Sequence, residues 1–303
     1  MESIKDLNLF DFDDNFKNQK EQSINELMKD QYVLEILSQY HLDRAIIENN
    51  WAEFLDYQED MQKCFNCNGL NDCQKVTQGM KQFMEIKNNE VIISSTPCKF
   101  GKELMEKQNI LSHIIVRNVS DKMVLVTPND IKELSATDED CIKKAYSYIL
   151  EPKNYGFFIQ GKPRVGKSTL AGFLIRNLAK NGFSCGYIHF PTFLMDLKNS
   201  FGEYGNDNNT EMLRKLDYLV IDDLGGENVT PWSRDEVLSS IITYRMQNQK
   251  PIFFTSEYTK DDLIKIYSLK VKDPRDRIKV KRLINSIFTI SLPMVIKGKR
   301  LQQ

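Results

Sequence analysis

The stretch GKPRVGKST, from Gly161 to Thr169, fits the pattern G-x-x-x-x-G-K-[ST]. Each fixed position has a chemical use. Gly161 and Gly166 permit backbone angles and a close approach that a side chain would block. Lys162, Pro163, Arg164 and Val165 shape the loop between them, and Thr169 completes the stretch. Successive main-chain N–H groups and the N-terminus of a following helix then suit phosphate oxygens. Lys167 is placed to reach the β- and γ-phosphates, and the Ser168 hydroxyl to ligate Mg²⁺. The implied ligand is ATP with its magnesium. A second stretch, LDYLVIDD (216–223), ends an apolar run in two carboxylates. At the C-terminal edge of an open α/β sheet such a run meets the ligand. Asp222 is then the Mg²⁺ carboxylate, and Asp223 the group that polarises an attacking water. The plainer role for Asp223 is a helix cap or a turn. A kinase would use the same loop, but no pattern here marks a phosphoryl acceptor.

These residues need elements to hold them. YGFFIQ (155–160) reads as a short buried strand running into the glycine loop, and STLAGFLIRNLAKNG as a helix ending at Gly182. Leu170, Phe173, Leu174 and Leu178 lie on one side of that helix. SCGYIHF, LDYLVIDD, PIFFT and LPMVI supply further strands. Strands alternating with helices predict a five-stranded parallel sheet flanked by helices.

Upstream the pattern is helical. Ser23 and Glu26 have capping-box spacing, and Ile24, Leu27 and Met28 open an apolar stripe that Ile47, Trp51, Phe54 and Leu55 continue. The first residues alternate Leu7, Leu9, Phe10, Phe12 and Phe16 with carboxylates, as a docking arm or a helix-packing terminus would. KNNEVIISSTPC reads as a turn and a strand. The expected organisation is a helical N-terminal domain over 1–98, a linker over 99–135 and the nucleotide domain over 136–303.

Among 303 residues, 41 Lys and Arg nearly cancel 42 Asp and Glu, so net charge selects no partner. No apolar run approaches the roughly 20 residues of a membrane span, and the acidic start lacks the basic region of a signal peptide. A cytoplasmic protein is expected, with its six cysteines as thiols or metal ligands. CFNCNGLNDC brings Cys64, Cys67 and Cys73 together, and Cys98 follows a turn-prone Pro97. Four thiolates at such spacing suit tetrahedral Zn²⁺. A redox dithiol would need a thioredoxin-like βαβ context, which is missing here.

The stretch IDDLGGENVTPWSRDEVLSSIITYRMQNQKPIFFTSEY resembles the primosomal helicase loaders of the DnaI family, relatives of DnaC and of the IstB transposition ATPases. Asp222-Asp223, VTPWSRDEV (229–237), YRM (244–246) and FFTS (253–256) carry the resemblance, and YIHFPTFLMDLKNSF (187–201) is similar to the family's second strand and helical insertion. The resemblance implies an AAA+ ATPase that assembles with a hexameric replicative helicase and helps place that ring on single-stranded DNA. It also implies self-association through the ATPase domain, and an N-terminal zinc domain that contacts the helicase. The family's zinc site includes a histidine; none stands between residues 42 and 112 here, so Cys98 takes the fourth place.

Two positions depart from the family pattern. Glu257 stands where an Asn would sense the γ-phosphate, which passes that role to Thr255 or Ser256. In KVKRLINSIF (279–288), Arg282 fits the first of two arginines but Ser286 replaces the second, an arginine finger. Weak hydrolysis follows, or substitution by Arg277 or Arg282. Arg300 is similar to the family's terminal basic residue near the nucleotide. For DNA, Phe193, Lys198 and Phe201 combine stacking faces with a cation, although Phe193 and Leu197 also have core spacing. Two rival expectations are an IstB-like transposition helper and an adaptor that uses ATP only to fix its shape.

Overall fold

The computed structural model describes residues 9–88, 90–132, 138–200, 208–269, 271 and 273–298. They fall into two units, divided between Glu106 and Lys107.

The first unit begins with helices α1 (Leu9–Leu27), α2 (Gln31–Tyr40), α3 (Arg44–Asn49) and α4 (Trp51–Phe65). Asp30 and Asp43 cap α2 and α3 by accepting backbone N–H bonds. Ser23 does not cap a helix as its spacing with Glu26 suggested. It lies inside α1 and its hydroxyl donates to Gln19 O at 3.0 Å, because the helix starts well before it. Ile24, Leu27, Ile47 and Phe54 are buried together as their spacing predicted. After α4 comes an antiparallel hairpin of β1 (Met80–Lys87) and β2 (Glu90–Pro97). Asn88, with φ of 53°, makes its turn. The sequence reading marked β2 but not β1.

In the second unit, α5 (Lys99–His113), which began in the first, leads into β3 (Ile114–Arg117) and α6 (Asp121–Val124). Then come α7 (Glu139–Leu150), β4 (Gly156–Gly161), α8 (Lys167–Lys180), β5 (Cys185–His189), α9 (Phe190–Ser200), α10 (Asn208–Lys215) and β6 (Tyr218–Asp222). A π-helical segment (Trp232–Leu238) joins α11 (Ser239–Gln247), followed by β7 (Ile252–Ser256), α12 (Lys260–Ser268), α13 (Pro274–Ile290) and β8 (Ser291–Ile296).

The sheet has six strands in the order β3-β5-β6-β7-β4-β8, all paired in parallel. Five of them coincide with the strands read from the sequence. The sixth, β3, corrects the expected five, and with α6 it corrects the reading of residues 99–135 as a linker. IIVR is too short to show a period of two, and only pairing with β5 makes it a strand. β6 and β7 are buried along their whole length, as parallel strands covered on both faces must be. Two apolar clusters form the core. Leu170, Phe173, Leu174 and Leu178 of α8 belong to one; Ile221, Phe254, Ile284 and Ile287 belong to the other.

This order brings distant residues together. The glycine loop follows β4, whose neighbour β7 lies between it and β6. The ends of β4, β7 and β6 therefore converge at one edge of the sheet.

Candidate nucleotide site

The glycine loop turns sharply between β4 and α8. Arg164 and Gly166 both take left-handed backbone angles, with φ of 62° and 95°. Residues alternating in this way curl the chain so that successive N–H groups can face one centre. A Cβ on Gly161 would lie 2.7 Å from Ile296 O, so no other residue fits there without movement. Val165 is buried and anchors the loop in the core, while Lys162, Pro163 and Arg164 are exposed along its rim.

Lys167 opens α8 and is buried. Its ammonium donates to Gly161 O at 3.0 Å and Lys162 O at 2.9 Å, and lies 3.7 Å from a Glu257 carboxylate oxygen. Burial pulls its pKa below the usual lysine value, against Glu257, Asp223 and Asp222, which hold it up.

Ser168 donates to Asp222 Oδ1 at 2.8 Å, although 54 residues separate the two in the chain. Thr255, at the end of β7, donates to the same oxygen at 2.5 Å and accepts from Asp223 N at 2.9 Å. Hard oxygen donors converging beside a phosphate loop fit Mg²⁺. Thr169 is half-buried in the first turn of α8. Asp223 itself takes a left-handed φ of 62°, which points the chain out of β6. Its carboxylate lies 3.7 Å from His189 Nε2, and the other ring nitrogen meets Thr192 Oγ1 at 2.8 Å.

His189 and Glu227 are site-side residues that sequence reasoning missed. His189 closes β5 in register with Asp222, a proximity that only strand order reveals. Asn118 fixes it by bonding both its backbone N–H and its carbonyl. Glu227 is buried, with one oxygen accepting from Gly225 N at 2.8 Å and the other from the Tyr267 hydroxyl. Burial pushes its carboxyl above the usual range despite those bonds. It thereby holds the turn after Asp223, where a Cβ on Gly226 would come within 2.2 Å of the Asp223 carboxylate.

Several expected placements are corrected. Ser256 cannot sense a phosphate: it is fully buried, donates to Leu224 O at 2.6 Å and accepts from Tyr258 N at 3.1 Å. Phe193 is buried in the core and offers no stacking face. Lys198 is exposed, and its ammonium lies 5.6 Å from the centroid of the Trp232 ring. Phe201 and Arg300 lie outside the described residues. Arg282 is exposed on α13. The zinc cage is not formed either. Among the described residues, no three Cys, His, Asp or Glu side chains converge to hold a metal. Cys64, Cys67, Cys73 and Cys98 are free, half-buried thiols. Local turns engage them instead: Cys67 donates to Gly69 O at 3.3 Å and Cys98 accepts from Gly101 N at 3.4 Å. N–H groups of Gly79 and Lys75 hold the Cys73 thiol below its usual pKa.

Known proteins share both units. Residues 1–94 match the family described as primosomal protein DnaI N-terminus. Over 293 residues the chain is 25% identical to the replicative helicase loader DnaI of Bacillus subtilis (strain 168), spanning 94% of this chain and 93% of that protein. The chain is thus similar to a DnaI helicase loader over nearly its whole length. A crystal structure of DnaI superposes on 64% of this chain and 100% of its own, with a TM-score of 0.54 at 22% identity. A candidate primosome component from Streptococcus pyogenes serotype M3 superposes with a TM-score of 0.53 at 23% identity, over 64% of this chain and 98% of its own. The second unit accordingly shares the fold of these two structures, a six-stranded parallel sheet flanked by helices, with the glycine loop and acid pair at its edge. No helix among the described residues is long and apolar enough to cross a membrane.

Proposed function

We propose that this chain is an ATP-dependent loader, working in the cytoplasm, that helps place a hexameric replicative helicase on single-stranded DNA when replication starts or restarts. The observation that carries the proposal is the meeting of Ser168, Asp222 and Thr255 beneath the glycine loop, in a chain aligned with DnaI over 94% of its length. Ser168 and Asp222 would hold Mg²⁺, which supplies charge neutralisation on the phosphates. Lys167 would bind the β- and γ-phosphates, while the loop amides orient the chain of phosphates for in-line attack. Asp223 would accept a proton from the attacking water, with His189 steadying its carboxylate. Turnover by the isolated chain would be weak, since Ser286 occupies the place of an arginine finger.

Residues 1–94 favour a loader over a transposition helper, because the match there is to the N-terminus of a primosomal protein. Lys198 remains the residue we assign to single-stranded DNA, as an exposed cation beside an aromatic ring.

The test is capture of the organism's hexameric replicative helicase with and without ATP, alongside hydrolysis measured with and without single-stranded DNA. The wild type should capture the ring in an ATP-dependent way, and Asp223→Asn should bind ATP yet lose turnover. Equal, negligible turnover by both proteins would leave an adaptor in place of an ATPase. Failure to capture the helicase in any nucleotide state would refute the loader.

A further inference from the structure

We infer that Glu257 is a specificity-determining residue of the phosphate site, opposing a γ-phosphoryl group and so favouring a nucleoside diphosphate over a triphosphate. The inference rests on the reading of the glycine loop as a nucleotide site.

Two hydrogen-bond acceptors and one ion-pair partner surround the Lys167 ammonium. The acceptors are loop carbonyls, at 3.0 Å and 2.9 Å; the partner is the Glu257 carboxylate, at 3.7 Å. The side chain of Lys167 is 9% exposed and that of Glu257 is 40% exposed, so the carboxylate approaches a covered cation from the solvent side. Its backbone leaves little freedom to retreat, because Glu257 directly follows the fully buried β7.

The phosphates of a diphosphate can lie on the loop amides while Glu257 keeps its place beside Lys167. A γ-phosphoryl group brings further negative charge to the same ammonium. Two anions then compete for one cation, and either Glu257 swings away or the triphosphate is held less tightly. Solvent attenuates the repulsion because the carboxylate is partly exposed. The neutral isostere, glutamine, removes the charge and leaves the shape.

The experiment is calorimetric titration of the full chain with MgADP and with a non-hydrolysable MgATP analogue, for the wild type and Glu257→Gln. Glu257→Gln should tighten the analogue about tenfold and leave ADP within about twofold. Raising the salt concentration should shrink the difference between the two proteins. Equal gains for both nucleotides, no gain for either, or weaker analogue binding by the variant would each overturn the inference. Weaker binding would assign the carboxylate to the metal instead. If neither protein bound either nucleotide, the nucleotide-site reading would itself fall, and the role of Glu257 with it.

Discussion

Thr255 uses its hydroxyl twice, donating to Asp222 and accepting from the backbone N–H of Asp223. One buried side chain thus holds the Asp222 carboxylate and the backbone of Asp223. Replacing it by valine keeps the volume, but leaves a buried N–H without its acceptor and Asp222 without one of its donors. Thr255→Val should lose about 1–3 kcal/mol of stability in denaturant unfolding. Its turnover should fall more than its affinity for ATP, whereas Thr255→Ser should retain both. A variant with unchanged turnover would remove Thr255 from the site. Lys167, Ser168 and the acid pair were legible because their spacing is local. Thr255 and Ser256 are adjacent in sequence and looked equivalent, but alternation along a strand sends their side chains to opposite faces. One faces the acid pair and the other the carbonyl of Leu224.

Strand ends need holding as firmly as side chains. Arg245 of α11 is fully buried and donates to the carbonyls of Leu213, Leu216, Asp217 and Pro251. These carbonyls flank the starts of β6 and β7, so one guanidinium ties together the strands that carry Asp222 and Thr255. Burial pulls its pKa down to about 9, which leaves it charged at neutral pH. Arg245→Met should cost at least ~3 kcal/mol, read from denaturant unfolding, because several buried carbonyls lose their donor. Asp217 makes a second tie by accepting from the N–H and hydroxyl of Ser184 at 3.0 Å and 2.6 Å. Burial pushes its carboxyl up, but the Ser184 bonds and Lys250 outweigh it and hold the pKa below the usual aspartate value. A carboxyl with a depressed folded pKa stabilises the fold above its unfolded value, and that stability is lost as pH falls through the folded one. Asp217→Asn should therefore unfold more easily than the wild type at neutral pH, by about 1 kcal/mol given its exposure. The two stabilities should converge in acid below roughly pH 4. A constant gap across pH would show that the charge is not what matters.

At the scale of the whole molecule the described residues fall into two units, each with its own apolar core. If the N-terminal unit docks the helicase, removing residues 1–98 should abolish capture in a pull-down. The remaining chain should still melt cooperatively and bind ATP, because β3 to β8 and the clusters around α8 are intact in it. Undiminished capture by the shortened chain would move docking to the second unit. The boundary was poorly legible because no run of glycine, proline or serine marks it.

Sequence alone determined the glycine loop, the acid pair and five of the six strands of the parallel sheet. A glycine loop needs its glycines and lysine at set intervals, and buried strands announce themselves as short apolar runs. Tertiary structure decided the rest: that β7 lies between the glycine loop and the acid pair, that His189 meets Asp223, and that Glu257 faces Lys167. It also decided that the cysteines engage their own turns rather than a common centre. Strand order and the direction of a side chain at a strand end arise from long-range packing, which leaves no periodic trace in the chain.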